Sequence, residues 1–239
     1  MRTIIRKELG QFFSSMTGYL SVLLFLLLNG LFLFVFPDTN LFDAGYATLD
    51  AFFRTAPWIL LMLIPAITMR SFSEEFRAGT WEVLCSRPLT QAAIIGGKYL
   101  AALLIVVCAL LPTLIYVWTV ARLSTAGIDS GGIVGSYIGL VALSAVFTAI
   151  GIFFSSLSAN PVVTFLASAF GCFVFHTAFT AIAGLDFLRG GAGYWVEMLG
   201  IEAHYRSISR GVIDSRDVVY FASVVAFFLF LTARKLQNR

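Results

Sequence analysis

Six runs of this chain are apolar enough to enter a lipid bilayer, and they exclude most folds at the outset. They cover residues 18–36, 56–69, 99–120, 133–154, 161–183 and 218–233. A helix needs about 20 apolar residues to cross the hydrocarbon core. The second run is the shortest, and its start can reach back to Ala51. Lipid offers a backbone no water to bond, so only helices and closed barrels cross it. Barrel strands alternate in polarity every second residue, and the run from Leu20 to Phe36 does not. The composition agrees: 59% of residues are hydrophobic and 12% charged, against about 45–50% and about 25% in soluble domains. The expected fold is an all-α membrane protein with six transmembrane helices in a single domain. No small-x-small cleavage pattern precedes Phe36-Pro37-Asp38, so the first run reads as a span and not as a signal peptide. The cysteines Cys85, Cys108 and Cys172 lie far apart and read as small packed residues.

The basic residues orient the spans. With six spans both termini share one side. That side holds 10 of the 16 Lys and Arg and 4 of the 13 acids; the other side holds 6 and 9, giving +6 against −3. Both termini are therefore expected in the cytoplasm.

Two polar segments stand out on the terminal side. In residues 1–17, Ile5, Leu9, Phe12, Phe13 and Met16 fall within an arc of about 100° on a helical wheel. Lys7, Gln11 and Ser14 lie opposite. This is the pattern of an amphipathic interfacial helix. It serves either as a positive-inside anchor or as a flat helix that touches a partner.

The second segment is SFSEEFRAGTWEVLCSRPLT, residues 71–90, within a loop of residues 71–96 between spans two and three. Ser73 is placed to cap a helix, with Glu74 and Glu75 in its first turn. Gly79 interrupts, Thr80 is placed to cap a second helix, and Arg87-Pro88 stops it. Two short helices joined at Gly79 are expected. Trp81, Val83 and Leu84 would form a sticky patch unless a partner covers them, and aromatic and Arg anchors beside carboxylates suit a protein interface. The bland alternative is a solvated loop with weak exposed ion pairs.

The pattern Glu75-x-Arg77-x-Gly79-Thr80-x-Glu82-x-Leu84, followed by Pro88-Leu89 and Gly97-Lys98, resembles the first cytoplasmic loop of ABC-2-type permeases. The resemblance extends to the N-terminal helix, the six spans and the turn SSLSANP between spans four and five. The compact length and the segment RGVIDSRDVVY before span six are most similar to GldF-like permeases associated with gliding motility. The resemblance implies a coupling helix that docks on an ABC ATPase subunit, using Glu74, Glu75, Arg77, Gly79, Thr80, Trp81, Glu82 and Leu84. ATP and Mg would be bound by that partner, not by this chain. It also implies a second permease copy or a related membrane subunit, a possible GldG-like auxiliary protein, and residence in the bacterial cytoplasmic (inner) membrane.

Catalytic signatures are missing. The nearest approach to a phosphate-binding loop is IIGGKYL, where Lys98 is followed by Tyr99 and the upstream Gly is Ala92. Cys172 and His176, four apart on span five, share a helix face but lack further metal ligands; a histidine bonded across a helix interface is the expected role. Ser168 in LASAF does not fit a membrane serine protease. The six runs hold no Asp, Glu, Lys or Arg, which disfavours an ion-coupled carrier. Neither a metal nor a nucleic-acid partner is implied.

In span five, Ala167 with Gly171 and Ser168 with Cys172 form small-xxx-small pairs. Such faces let helices approach closely, either within the chain or, as the resemblance implies, across a dimer interface. Residues 184–217 read as an outer segment, with Trp195, Met198, Leu199 and Glu202 at helical spacing. Arg206, Arg210, Asp214, Arg216 and Asp217 are candidates for lipid head groups or an outer partner, beside the plain reading of a solvated loop. The expected function is a non-catalytic permease subunit that couples a separate ATPase to export or conformational work. The alternative is a mechanical or regulatory scaffold that moves no substrate.

Overall fold

The computed structural model describes residues 1–36, 48–86, 90–124, 128–185, 191–212 and 214–237. Among these there is no strand, and six helices are long and apolar enough to cross a membrane. A short helix α1 (Arg2–Phe13) precedes the first span, α2 (Met16–Phe34). The second span is α3 (Asp50–Thr68), followed by the loop helices α4 (Ser73–Arg77) and α5 (Trp81–Cys85). Span three is α6 (Gln91–Leu110) continued by α7 (Leu114–Leu123). Span four is α8 (Ser130–Leu157). Span five is α9 (Pro161–Phe173), a π-turn over Val174–Ala178 and α10 (Phe179–Ala183). Two short helices, α11 (Ala192–Glu197) and α12 (Ile201–Ser209), lie before the last span, α13 (Ser215–Gln237).

Side-chain caps, not apolar content, set several helix starts. Thr90 Oγ1 accepts from the Ala93 amide at 3.2 Å, so α6 begins eight residues before the apolar run. Asp129 Oδ1 accepts from Gly132 at 3.0 Å ahead of α8. Asn160 Oδ1 accepts from Val162 at 3.0 Å ahead of α9, and Pro161 takes the first helical position, where no amide is needed. Pro112 lacks an amide donor, and span three tightens there into a 3₁₀ turn, Leu111–Thr113.

The central staff is α8. At 28 residues it is about 42 Å long, and it packs against α3, α6, α9, α12 and α13. Leu140, Leu143, Phe147 and Ile150 are fully buried along it. The crossing with α3 is tight: a Cβ on Gly151 would lie 2.1 Å from Thr68 Oγ1. The helices α2 and α13 lie at the rim, and their outward side chains, such as Leu23, Leu27, Phe227 and Phe230, are exposed. These are lipid-facing positions in a protein of this kind.

On the side opposite the termini, the expected single face of Trp195, Met198, Leu199 and Glu202 is broken, because the chain turns between α11 and α12. Trp195 and Leu199 are exposed. The buried face is instead Ile201, His204, Tyr205 and Ile208. Tyr205 Oη donates to Phe53 O at 2.7 Å, and burial pushes its phenol above the usual range. Asp217 is no surface group: it is 5% exposed, and its Oδ1 lies 2.6 Å from His204 Nδ1. Arg206 pairs with Glu202.

Candidate functional site

The loop from Ser71 to Ser86 is held by its inner face and free on its outer face. The α4 amides start the inner attachment. Ser73 does not cap α4 as the sequence suggests; it is the first helical residue, and its hydroxyl turns back to donate to Met69 O. The acceptor comes from another helix. Ser155 Oγ on α8 accepts from the Phe72 amide at 2.9 Å and the Ser73 amide at 3.3 Å. A buried helix start needs such acceptors, and here the fourth span supplies them.

Three rings then join the two loop helices. Phe72 is 0% exposed. It stacks on Phe76 at 6.2 Å and meets Trp81 edge-on at 5.8 Å; Phe76 and Trp81 are 5.6 Å apart. They pack with Ile4 of α1, Ile94 and Ile95 of α6, Ile152 of α8 and Leu236 of α13, and Leu84 leans on the same cluster. Trp81 and Leu84 are therefore half-buried and structural, not the exposed anchors the sequence suggests. Val83, at 60% exposed, is the apolar group that faces out.

The turn between the helices has a backbone cause. The Thr80 amide bonds Glu75 O at 3.0 Å and the Gly79 amide bonds Phe76 O at 3.3 Å. This pair of bonds is a Schellman motif, which places its C′ residue in the left-handed region. Gly79 occupies that place with φ +65°, and nothing lies within 4 Å of where its Cβ would be. Glycine is required by the backbone alone. Thr80 makes no side-chain cap for α5; its hydroxyl donates weakly to Glu75 O at 3.4 Å.

Beneath the loop lies a charged node that the sequence reading missed. Lys98 is 3% exposed. Its Nζ donates to Glu8 Oε1 at 2.8 Å, Glu75 Oε1 at 2.9 Å and Ser71 O at 2.6 Å. An ammonium has three donors, and all three are used. Lys7 approaches Glu75 Oε1 at 3.4 Å from solvent, while Glu75 Oε2 is buried without a partner. The Lys98 ammonium also lies 5.2 Å over the Phe72 ring. One side chain thus ties α1, the loop and α6 together. A cavity of about 610 Å³ opens beside the node, between α1, α2 and the loop. The available signal was that Lys98 is the sole charge within Gln91–Leu110.

The outer face carries Glu74, Arg77, Thr80, Glu82 and Val83, all exposed. Glu74, Arg77 and Glu82 form no ion pair with any described residue. Arg87, Pro88 and Leu89, the expected end of α5, lie outside the described residues.

The N-terminal helix packs inward through Ile4 together with part of its expected apolar face. Ile4 is buried and touches Gly97; Ile5, Leu9 and Phe12 are half-buried, while Phe13 is exposed. Met16 belongs to α2 and is 85% exposed. Glu8, half-buried, reaches Lys98 on α6.

Span five also differs. Gly171 and Cys172 face α8 of the same chain, and Ser168 is buried with its hydroxyl donating to Thr164 O at 2.7 Å. A Cβ on Gly171 would lie 2.5 Å from the Phe154 ring, and Cys172 Sγ is 3.9 Å from Phe147 O. These three are fully covered within the chain; Ala167 is half-buried, and the outward side chains are Val162, Val163, Leu166 and Phe170. His176 is not hydrogen-bonded through Nδ1, which is buried without a partner; its ring meets Trp58 and Phe147 edge-on at 5.6 and 5.9 Å. No group of three His, Cys, Asp or Glu suited to a metal occurs among the described residues.

A family model described as ABC-2 family transporter protein matches residues 41–189. The match covers more than half of the chain and includes the loop, Lys98 and the second to fifth spans, but not Glu8 of the N-terminal helix. No curated protein matches the chain.

Proposed function

This chain belongs to the ABC-2 family of transporter proteins, as a multi-pass membrane component of an ABC transporter, and on that footing we propose that its loop Ser71–Ser86 is the lever through which an ATPase subunit drives the spans. The observation that carries this reading is the division of the loop into two faces. An outer face with Glu74, Arg77 and Glu82, unpaired among the described residues, suits a charged groove on a partner. The inner face is bolted to α1, α6 and α8 through Lys98, Phe72 and Ser155, so a push on the outside reaches three helices together. ATP and Mg belong to the partner in this reading. Both termini and the loop face the cytoplasm, where that partner works, in a bacterial inner membrane.

A second membrane subunit, of the same or a related chain, completes the complex. The segment RGVIDSRDVVY supports a GldF-like subfamily, in which the lever would serve either export or conformational work on a motility machine with a GldG-like auxiliary protein. The test is Glu82→Arg in the reconstituted complex. ATP hydrolysis should lose its dependence on this subunit while membrane insertion stays intact. Unchanged stimulation of the ATPase by the variant would refute the lever.

A further inference from the structure

A second cavity, of about 760 Å³, opens on the side opposite the termini, between α3, α11, α12 and the π-turn of span five. One wall is a column on α3. Asp50, Arg54, Trp58 and Met62 recur every four residues and so share one face, and all four are exposed on a helix whose other sides are largely buried. The column changes character along its length, from charged at the membrane edge through an aromatic to a thioether. Trp is the side chain favoured at the boundary of the hydrocarbon. Glu197 of α11 and Arg210, which follows α12, line the same cavity. Asp50, Arg54, Glu197 and Arg210 make no ion pair with any described residue, in contrast to Arg206, which Glu202 already holds. The rim thus offers two free guanidinium groups and two free carboxylates. At the floor is His176, its Nδ1 buried and unpartnered, in a π-turn, a helix irregularity that recurs at functional sites.

We propose that this vestibule binds a phospholipid of the adjacent leaflet whose headgroup carries both a phosphate and a primary ammonium. Arg54 and Arg210 take the phosphate, for which a guanidinium fork is well matched. Asp50 and Glu197 take the ammonium. The acyl chains run down the column over Trp58 and Met62, with Phe173, 6.4 Å from Trp58 between ring centroids, as the neighbouring wall. The charge pattern favours this ligand over an anionic lipid, which would leave both carboxylates facing a phosphate. It favours a lipid over a soluble zwitterion because the site continues into an exposed apolar face. The inference concerns binding alone and stands apart from ATPase coupling.

The test is native mass spectrometry of the full purified chain in detergent, supplied with equal phosphatidylethanolamine and phosphatidylglycerol. The intact protein should retain phosphatidylethanolamine in about tenfold excess. R54A/R210A should lower that retention about tenfold, and D50N/E197Q should bring the two lipids to near parity. Asp50, Arg54 and Arg210 are exposed and Glu197 is half-buried, and an unchanged unfolding temperature checks that each variant is folded. Chain-brominated phosphatidylethanolamine should quench fluorescence in the unaltered protein but not the remaining signal of W58F. Equal retention of the two lipids by the unaltered protein would overturn the proposal. So would competition by soluble glycerophosphoethanolamine as strong as by the intact lipid. Efficient crosslinking of W58C to a second copy would also overturn it, because the column would then be covered by protein.

Discussion

Two buried charge clusters mark the two ends of this protein, and they are built for different purposes. On the terminal side, Lys98 of α6 joins groups 90, 27 and 23 residues away in sequence, from α1 and the loop. On the far side, His204 and Asp217 are 13 residues apart and clamp α12 to the start of α13. The His204 Nε2 lies 2.9 Å from Met198 O, and the ring stacks on Tyr220 at 3.9 Å. The second cluster closes a local hairpin. The first fixes elements that a partner would have to move together. Both sit at the membrane edges, where charge is less costly than at mid-depth.

The comparison can be broken in graded steps. Lys98→Met should be the most damaging change, because it leaves Glu8 and Glu75 close together and uncompensated. Breaking a buried ion cluster from one side costs about 3 kcal/mol or more, read as a lowered unfolding temperature in detergent. The triple variant Lys98→Met, Glu8→Gln, Glu75→Gln should recover much of that loss; if it does not, charge is not what holds the node.

Asp217→Asn should cost about 2 kcal/mol, since it weakens a buried charge-assisted contact to His204. Its effect should stay local: faster hydrogen exchange in α12 with α4 and α5 unchanged. Protection lost equally at both ends would erase the distinction between clamp and tie.

Gly79→Ala should cost about 1 kcal/mol through its left-handed backbone, and Ser155→Ala about as much through the two amides it leaves without an acceptor. Both should loosen the loop in hydrogen exchange while leaving the far side untouched. Glu82→Arg, on the free face, should leave the unfolding temperature unchanged and act only when an ATPase partner is present.

The failures of sequence reading at the loop share a cause. The break at Gly79 was legible because a left-handed turn needs glycine wherever it occurs. The cap of α4 was not, because Ser73 has the right chemistry but Ser155, 82 residues later, has the right position. Trp81 looks like a partner anchor on composition alone. Only the fold reveals that Phe72 and Phe76 pack against it. The wheel of α1 counted apolar residues and set Glu8 aside, whereas in the fold Glu8 reaches the buried Lys98. Among the small residues of span five, Gly171 and Cys172 pack closely against α8 of the same chain.

The chain by itself determined that it is helical, how many times it can cross a membrane and which end of each crossing carries the positive charge, because these depend on the transfer of local segments into lipid. Tertiary structure alone decided which faces meet, which serine satisfies the α4 amides, and that Lys98, Glu8 and Glu75 converge. Those outcomes depend on the relative rotation of helices far apart in sequence, and no local free energy fixes that rotation until the helices pack.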